Sequence, residues 1–350
     1  MNTNRQQQQS RRYQYRSPTP QANTPTNSIA EISTLTAARN KIETLIYYSK
    51  ARKQLVQLYS GRHSDEWFLM SLIKCYHILL AHEAGISFIY NIHMKISYEC
   101  VVWNHALLQN VEKLMQFNSG CNLLSTLVIT FKHLDYAASL PTVIISAFRN
   151  NNSREYPLLL KNTIKEYKEN EQILSPLLKF DWRSSSSLSC LYLKLIIDII
   201  PIHLLTDIFS SIVPNFISLA KTDEFVHGLC SIISKVNTDD YETIYYQIFS
   251  NLEFFIFKSP QYLLVLSLAD FGTFQKRKEI LSECIETSYQ NMLNRPKHFD
   301  TLIKHLLYLV PALDRKGFMD NIVEKLKYQS DAIVTQQLYY EAFVMNKNFS

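Results

Sequence analysis

Apolar residues recur every three to four positions through almost the whole chain from residue 29 to its end. Trp67, Met70 and Ile73 follow one another at this spacing, and the stretch 188–200 repeats the arrangement. There is no comparable period-two run bounded by Asn-Gly or Asp-Gly that would indicate a sheet. The sequence therefore predicts an all-α fold.

Glycine and proline divide this helical pattern into segments. The 350 residues include only 6 glycines and 11 prolines, and most of them stand near the ends of periodic stretches. Helix pairs recur about every 35–45 residues, as in HEAT or armadillo stacks, but without a residue-level consensus. We expect an irregular HEAT/armadillo-like helical array, or a compact multi-helix domain, over residues 63–350.

Sequence motifs that carry catalysis or nucleotide binding are missing. The patterns GxGxxG, GxxxxGK[ST] and GxSxG do not occur, and the HExxH zinc motif fails because Ile86 stands where the second histidine after His82-Glu83 should be. Asp239-Asp240, which could suggest paired catalytic carboxylates, follows Asn237 where a helix cap is expected. We expect no catalytic, cofactor-binding or metal-binding residues, no cofactor and no enzymatic activity.

The cysteines and the apolar segments bear on location. The six cysteines are spread singly through apolar settings, which is typical of buried thiols in a reducing compartment. No segment is long and apolar enough to cross a membrane, and the first twenty residues hold four arginines and no apolar core of a signal peptide. We expect an intracellular, nuclear and chromosome-associated protein that is not secreted.

Residues 1–28 have the composition of a disordered basic head, with six glutamines, four arginines and no acid. Each of the three prolines follows a hydroxyl residue, which makes Ser17, Thr19 and Thr24 candidate sites for a proline-directed kinase. A phosphate at these sites would reverse the local charge. The alternative is an unmodified tail.

Positive charge is concentrated at the N-terminal end. Residues 1–62 hold ten Lys and Arg against two acids, so residues 63–350 hold 26 against 29 and carry a net charge of −3. Such asymmetry is typical of chains whose basic part contacts a nucleic acid, a membrane surface or an acidic partner. We expect weak, non-specific and salt-sensitive DNA contact through residues 1–62.

The segment 29–62 is predicted to contain a basic amphipathic helix over 29–59. Its apolar side either inserts into a groove of a partner subunit or packs on the chain's own body, and the sequence leaves both open. The candidate partner-binding residues are Leu35, Ala38, Ile42, Leu45 and Leu55 on the apolar side and Arg39, Lys50, Arg52 and Lys53 around it.

The layout of a short basic head, an N-terminal helix running into Tyr47-Tyr48-Ser49-Lys50-Ala51-Arg52-Lys53, and a long helical body resembles the yeast meiotic recombination accessory factors of the Mei-four type. The resemblance covers the whole chain as a layout and residues 35–59 as sequence. It implies a HEAT-like body, an N-terminal helix that inserts into a partner subunit, and an assembly on chromosome axes that supports meiotic double-strand-break formation.

From these observations we expect a non-enzymatic helical scaffold that binds other protein subunits through the N-terminal helix or the body. The resemblance narrows this to an accessory factor for meiotic double-strand-break formation and recombination. Two alternatives stay open: a nucleic-acid-binding helical repeat protein, and a membrane-surface adaptor that uses helix 29–59 as an anchor.

Overall fold

The structure is a computed structural model that describes residues 33–151, 153–182, 187–290, 297–311, 314–317 and 320. Within these ranges every regular element is a helix and no strand occurs, which confirms the all-α prediction. The proposed head 1–28, with Ser17, Thr19 and Thr24, lies outside the described residues.

Besides the helical residues 314–317, twenty α-helices have described bounds. They are α1 Ile42–Leu45, α2 Ser49–Leu58, α3 Glu66–Lys74, α4 Tyr76–Leu79, α5 Glu83–His93, α6 Val101–Leu108, α7 Val111–Leu114, α8 Asn118–Thr130, α9 Leu140–Ser146, α10 Tyr156–Glu166, α11 Glu171–Leu178, α12 Ser187–Ile199, α13 Thr206–Ile212, α14 Phe216–Ala220, α15 Val226–Ile233, α16 Thr238–Phe249, α17 Leu252–Ile256, α18 Tyr262–Phe271, α19 Phe274–Gln290 and α20 Lys297–Leu309.

Short 3-10 helices connect or extend several of these elements. They span Thr36–Lys41, His63–Asp65, Asp135–Ala137, Ala147–Arg149, Ile202–Leu204, Val213–Asn215 and Asp223–Phe225.

Eight of the helices stack on one another in chain order. The series α2, α5, α8, α10, α12, α15, α18 and α20 forms contacts at every step, and its members begin at residues 49, 83, 118, 156, 187, 226, 262 and 297. We call this series the ladder. The remaining helices pack beside it, so each repeat is one ladder helix with its flanking helices, as in solenoid proteins. The expected helical array is thus confirmed, and its ladder helices follow one another at a regular spacing.

Two glycines occupy equivalent positions near the start of α5 and α8. A Cβ on Gly85 would lie 2.1 Å from the carbonyl oxygen of Leu79, and a Cβ on Gly120 would lie 1.9 Å from that of Leu114. Both glycines stand near the start of a ladder helix, six residues after the leucine whose backbone they touch. The close approach of a glycine to the end of the preceding helix therefore recurs one repeat later.

The predicted continuous helix over 29–59 is wrong. Residues 36–41 form a 3-10 helix, and α1 and α2 are separated at Tyr48, whose backbone is extended with φ −101° and ψ 125°. The break lets both helices bury their apolar sides, with Ile46 only 1% exposed between them. The guanidinium of Arg52 closes the turn by donating to the carbonyl oxygen of Ile46 at 2.7 Å.

One hydrophobic core runs through the described residues, from Leu35 to Val310. Its largest fully buried side chains include Trp103, Trp182 and Tyr156. Cys75, Cys100, Cys121 and Cys284 are buried free thiols, as predicted, while Cys230 is half-buried and the burial of Cys190 is not described. No helix in the described residues is long and apolar enough to cross a membrane.

Candidate functional site

The ladder helices share a register of buried and exposed positions. Each has two adjacent inward positions, two outward positions and two more inward positions, a pattern that keeps one face of the helix on the core. In α8 the inward residues are Leu123, Leu124, Leu127 and Val128, all at most 1% exposed. From α8 to α20 every inward position of the register is buried.

The outward positions form a second register along what we call the ladder face. From one ladder helix to the next they recur with shifts of 34, 35, 36, 33, 36, 36 and 38 residues. On α2 the outward residues are Lys53, Val56, Gln57 and Ser60, and on α5 they are Ser87, Tyr90, Asn91 and Met94, where Ser60 and Met94 lie within two residues of the helix end. On α8 they are Asn122, Ser125, Thr126 and Ile129, and on α10 they are Leu158, Lys161, Asn162 and Lys165. On α12, α15, α18 and α20 they are Leu191, Lys194, Leu195 and Asp198; His227, Cys230, Ser231 and Ser234; Leu263, Leu266, Ser267 and Asp270; and Thr301, Lys304, His305 and Tyr308.

The side chains of this face are exposed or half-buried wherever their burial is described, with one exception. Ser231 is buried at 8%, and the Nζ of Lys194 lies 3.4 Å from its hydroxyl oxygen across the step from α12 to α15. The ladder face is therefore a continuous accessible surface that passes from repeat to repeat.

The first four helices of the face carry no acid at the outward positions. Their charged outward residues are Lys53, Lys161 and Lys165, all exposed, and the others are mainly amides and hydroxyls such as Gln57 and Asn122. Amide and hydroxyl groups donate and accept hydrogen bonds, and lysine binds phosphate as a point charge. This half of the face can hold an extended anionic polymer that also offers hydrogen-bonding groups.

A groove of about 450 Å³ opens between α2 and α5 at the first step of the ladder. Its lining includes the outward residues Lys53, Gln57, Ser87 and Asn91, together with Arg52 at its cationic wall. No acid lines the groove. The groove is thus the positively charged end of the ladder face.

The acids of these helices are held at their ends. The carboxylate of Glu83, at the start of α5, accepts hydrogen bonds from the backbone N–H groups of Asn118 and Ser119 at 3.1 and 2.8 Å. Glu166, at the end of α10, pairs with Lys132 at 3.2 Å. Both carboxylates are engaged in contacts that join one repeat to the next.

The second half of the face is internally neutralised. Lys194 pairs with Asp198 on the same helix at 2.5 Å, and the Nε2 of His305 lies 2.9 Å from Asp270 of the preceding ladder helix. Burial raises the pKa of the Cys230 thiol on this face above its ordinary value, so the thiol stays protonated and is a poor nucleophile. The first of these pairs lies within one helix, and the second joins two neighbouring ladder helices.

The candidate partner-binding residues from the sequence fall into two sets. Leu35, Ala38, Ile42, Leu45 and Leu55 are at most 9% exposed and belong to the chain's own core, the second of the two packings that the sequence left open. Insertion of this apolar side into a partner or a membrane stays a prediction, and it would require the segment to detach from the body.

The basic residues of that set lie apart from one another. Arg52 and Lys53 line the groove between α2 and α5, whereas the guanidinium of Arg39 lies 5.0 Å from the centre of the half-buried Trp67 ring. Lys50 is exposed near the start of α2. Of these, only Lys53 belongs to the ladder face, and Arg52 adjoins it in the groove.

The polar and basic residues of α5, α8 and α10 were not among the candidate residues predicted from the sequence. The signal that could have found them is the spacing of apolar pairs, such as Leu123-Leu124 followed by Leu127-Val128, which recurs about every 35 residues. Among the described residues no group of His, Cys, Asp and Glu side chains has the arrangement of a metal site.

No family model matches the chain, and no curated protein sequence matches it. A solved structure, the crystal structure of PUF-8 in complex with PBE-RNA, is similar to it in fold. The TM-score is 0.63 at 9% sequence identity, over 92% of this chain and 96% of that chain. At this identity the likeness concerns the fold alone, and it identifies the chain as a helical repeat protein.

Proposed function

We propose that this chain is a non-catalytic helical repeat protein that binds single-stranded nucleic acid, RNA in the first place, along the ladder face. The single observation that carries the proposal is the register of outward residues, which continues over eight stacked helices and holds lysines, amides and hydroxyls without an acid over the first four. The fold likeness to PUF-8, which was solved in complex with PBE-RNA, supports the same class of partner.

The net charge of −3 on residues 63–350 weighed against nucleic-acid binding in the sequence, but a binding face depends on local charge. Several acids are used elsewhere, as Glu83 and Glu166 are in contacts between repeats. A flexible single strand can present phosphates to the lysines and base edges to amides such as Asn91 and Asn162. A duplex pairs the Watson–Crick edges of its bases with each other, so those edges are not available to such a face.

The experiment is a fluorescence-anisotropy titration of the full chain with labelled random-sequence RNA. Single-stranded DNA of the same length and a double-stranded RNA are measured in parallel. We expect the two single strands to bind with a strong salt dependence and the duplex to bind less tightly. Absence of single-strand binding at low salt, or equal affinity for single strand and duplex, would contradict the proposal.

A protein scaffold is the second candidate function, and one observation favours it. Tyr47 and Tyr48, between α1 and α2, are 62% and 47% exposed, and tyrosine is enriched in protein interfaces. Basic residues such as Arg39 and Lys50 stand nearby in sequence, so the partner would be acidic. The narrower hypotheses of a nuclear location, of DNA contact through residues 1–62 and of a meiotic recombination accessory role rest on the layout of the sequence.

The scaffold hypothesis is tested by co-purification from meiotic cells. The full chain is compared with a Tyr47→Ser/Tyr48→Ser variant and with a Tyr246→Ser control, since Tyr246 is equally exposed at 63% on α16. The hypothesis expects chromosome-axis proteins with the wild type and the control but not with the double variant. Identical partners for all three proteins would contradict a role of these tyrosines in binding a partner.

A further inference from the structure

The two halves of the ladder face differ in charge. At the outward positions the first four helices hold three lysines and no acid, whereas the last four hold Lys194 and Lys304 against Asp198 and Asp270. The first half therefore has a formal charge of +3 and the second a charge of zero, without counting histidine.

One of the two lysines of the second half is already engaged. Lys194 contacts both Asp198 and Ser231, and His305 contacts Asp270. A phosphate that approached Lys194 would have to displace the carboxylate already in contact with it and would meet the repulsion of that carboxylate. The acids on this half thus oppose an anionic strand.

The cations of the first half stand at its two ends. Arg52 and Lys53 line the groove between α2 and α5, and Lys161 and Lys165 are exposed on α10. Between them, α5 and α8 present neutral groups such as Asn91 and Asn122. Three steps between neighbouring helices, each of about 8–10 Å, separate α2 from α10, so the two cationic ends lie roughly 24–30 Å apart.

We infer that an anionic strand is held only by the first four ladder helices, with phosphates at Arg52 and Lys53 and at Lys161 and Lys165, and with its bases and sugars against the neutral side chains of α5 and α8. This inference rests on the proposed function and divides the face into a first half that binds the strand and a second half that does not. The strand class is single-stranded nucleic acid, and the site spans four repeats.

The first test uses matched charge variants of the full chain. Lys161→Gln/Lys165→Gln removes two cations from the first half, and Lys194→Gln/Lys304→Gln removes two from the second. All four lysines are exposed, so the paired variants change the net charge equally. Binding of a labelled single-stranded RNA is measured by anisotropy over a series of salt concentrations.

We expect wild-type binding with a slope of log affinity against log salt near −3, as about 0.7 per phosphate contact predicts for four contacts with a single strand. Lys161→Gln/Lys165→Gln should reduce the magnitude of this slope by about 1.4. Lys194→Gln/Lys304→Gln should leave it unchanged. Lys53→Gln, an exposed single change in the groove, should reduce the slope by about 0.7.

The second test measures affinity against strand length. Affinity should stop rising once the strand covers roughly 24–30 Å, the span from α2 to α10. If it rises until the strand covers all eight helices, or if both paired variants reduce the salt slope equally, the inference is overturned while the proposed function stands. If wild type binds no single strand, both fail.

Discussion

The hydroxyl and the backbone N–H of Ser119 both donate to the carboxylate of Glu83, 36 positions earlier in the chain. The carboxylate thereby caps the first turn of α8 from the start of α5, where exposed N–H groups and the helix dipole favour a negative charge. One side chain both joins two repeats and removes an acid from the ladder face.

Loss of this cap should destabilise the protein. Glu83→Ala is expected to lower the free energy of unfolding by about 1 kcal/mol, as other lost helix caps do. Glu83→Gln keeps an acceptor without the charge and should cost less. Urea unfolding of the three proteins measures the order, and an alanine variant as stable as wild type would show that the contact does not stabilise the fold.

Alanine should destabilise the protein at Gly85 and Gly120, although alanine usually stabilises a helix relative to glycine by about 1 kcal/mol. The added Cβ would lie 2.1 Å from the Leu79 carbonyl oxygen and 1.9 Å from that of Leu114, respectively, so backbone must move. Such overpacking typically costs about 1–3 kcal/mol.

Gly317 provides the control for these variants, because a Cβ there would meet nothing within 4 Å. Gly317→Ala should leave the free energy of unfolding unchanged or raise it. Thermal or urea unfolding of the three alanine variants gives the comparison. If the Gly85→Ala and Gly120→Ala proteins are as stable as wild type, the close contact of these glycines with the preceding helix is contradicted.

Acid should destabilise the protein through His93. Burial lowers the pKa of this imidazole from 6.5 to about 4, and its Nδ1 accepts a hydrogen bond from the indole N–H of the fully buried Trp103 at 3.3 Å. The unfolded chain binds a proton near pH 6.5, whereas the folded protein does so only near pH 4. The stabilising contribution is therefore complete above pH 6.5 and is lost as the pH falls to 4, by at most about 3 kcal/mol.

His93→Gln tests this contribution, since glutamine offers an acceptor to the indole but does not titrate. The variant should show a flatter dependence of the free energy of unfolding on pH between 6.5 and 4. Denaturant unfolding at several pH values measures both proteins. Parallel curves would assign the acid sensitivity to other groups.

Much of the fold could be predicted from local sequence. The helical period alone predicts the all-α class, and Asn237 is the helix cap expected before Asp239-Asp240, with its side-chain oxygen accepting from the N–H of Asp240 at 2.9 Å. These features depend on residues close in sequence, which a pattern of three to four positions captures.

The break between α1 and α2 could not be predicted in this way. Apolar residues continue in the helical pattern through Ile46, and the turn at Tyr48 exists because both sides bury apolar residues on the same body. Tertiary packing here overrides local propensity.

The ladder face was missed for a related reason. Pairs such as Leu302-Ile303 followed by Leu306-Leu307 occur in any amphipathic helix, so one such set alone does not mark a repeat. Only the recurrence of these sets about every 35 residues does. The lysines of α10 lie on an acid-free surface that only the structure shows. The net charge of the sequence averages over all faces of the protein and does not reveal such a surface.

Photo-crosslinking tests the central claim most directly. The full chain is crosslinked to a single-stranded RNA that carries 4-thiouridine, and the attached peptides are identified by mass spectrometry. The account predicts crosslinks in α2, α5, α8 and α10, at residues such as Tyr90 on the ladder face. Crosslinks confined to flanking helices such as α16 and α19, or to residues 1–32, would contradict it.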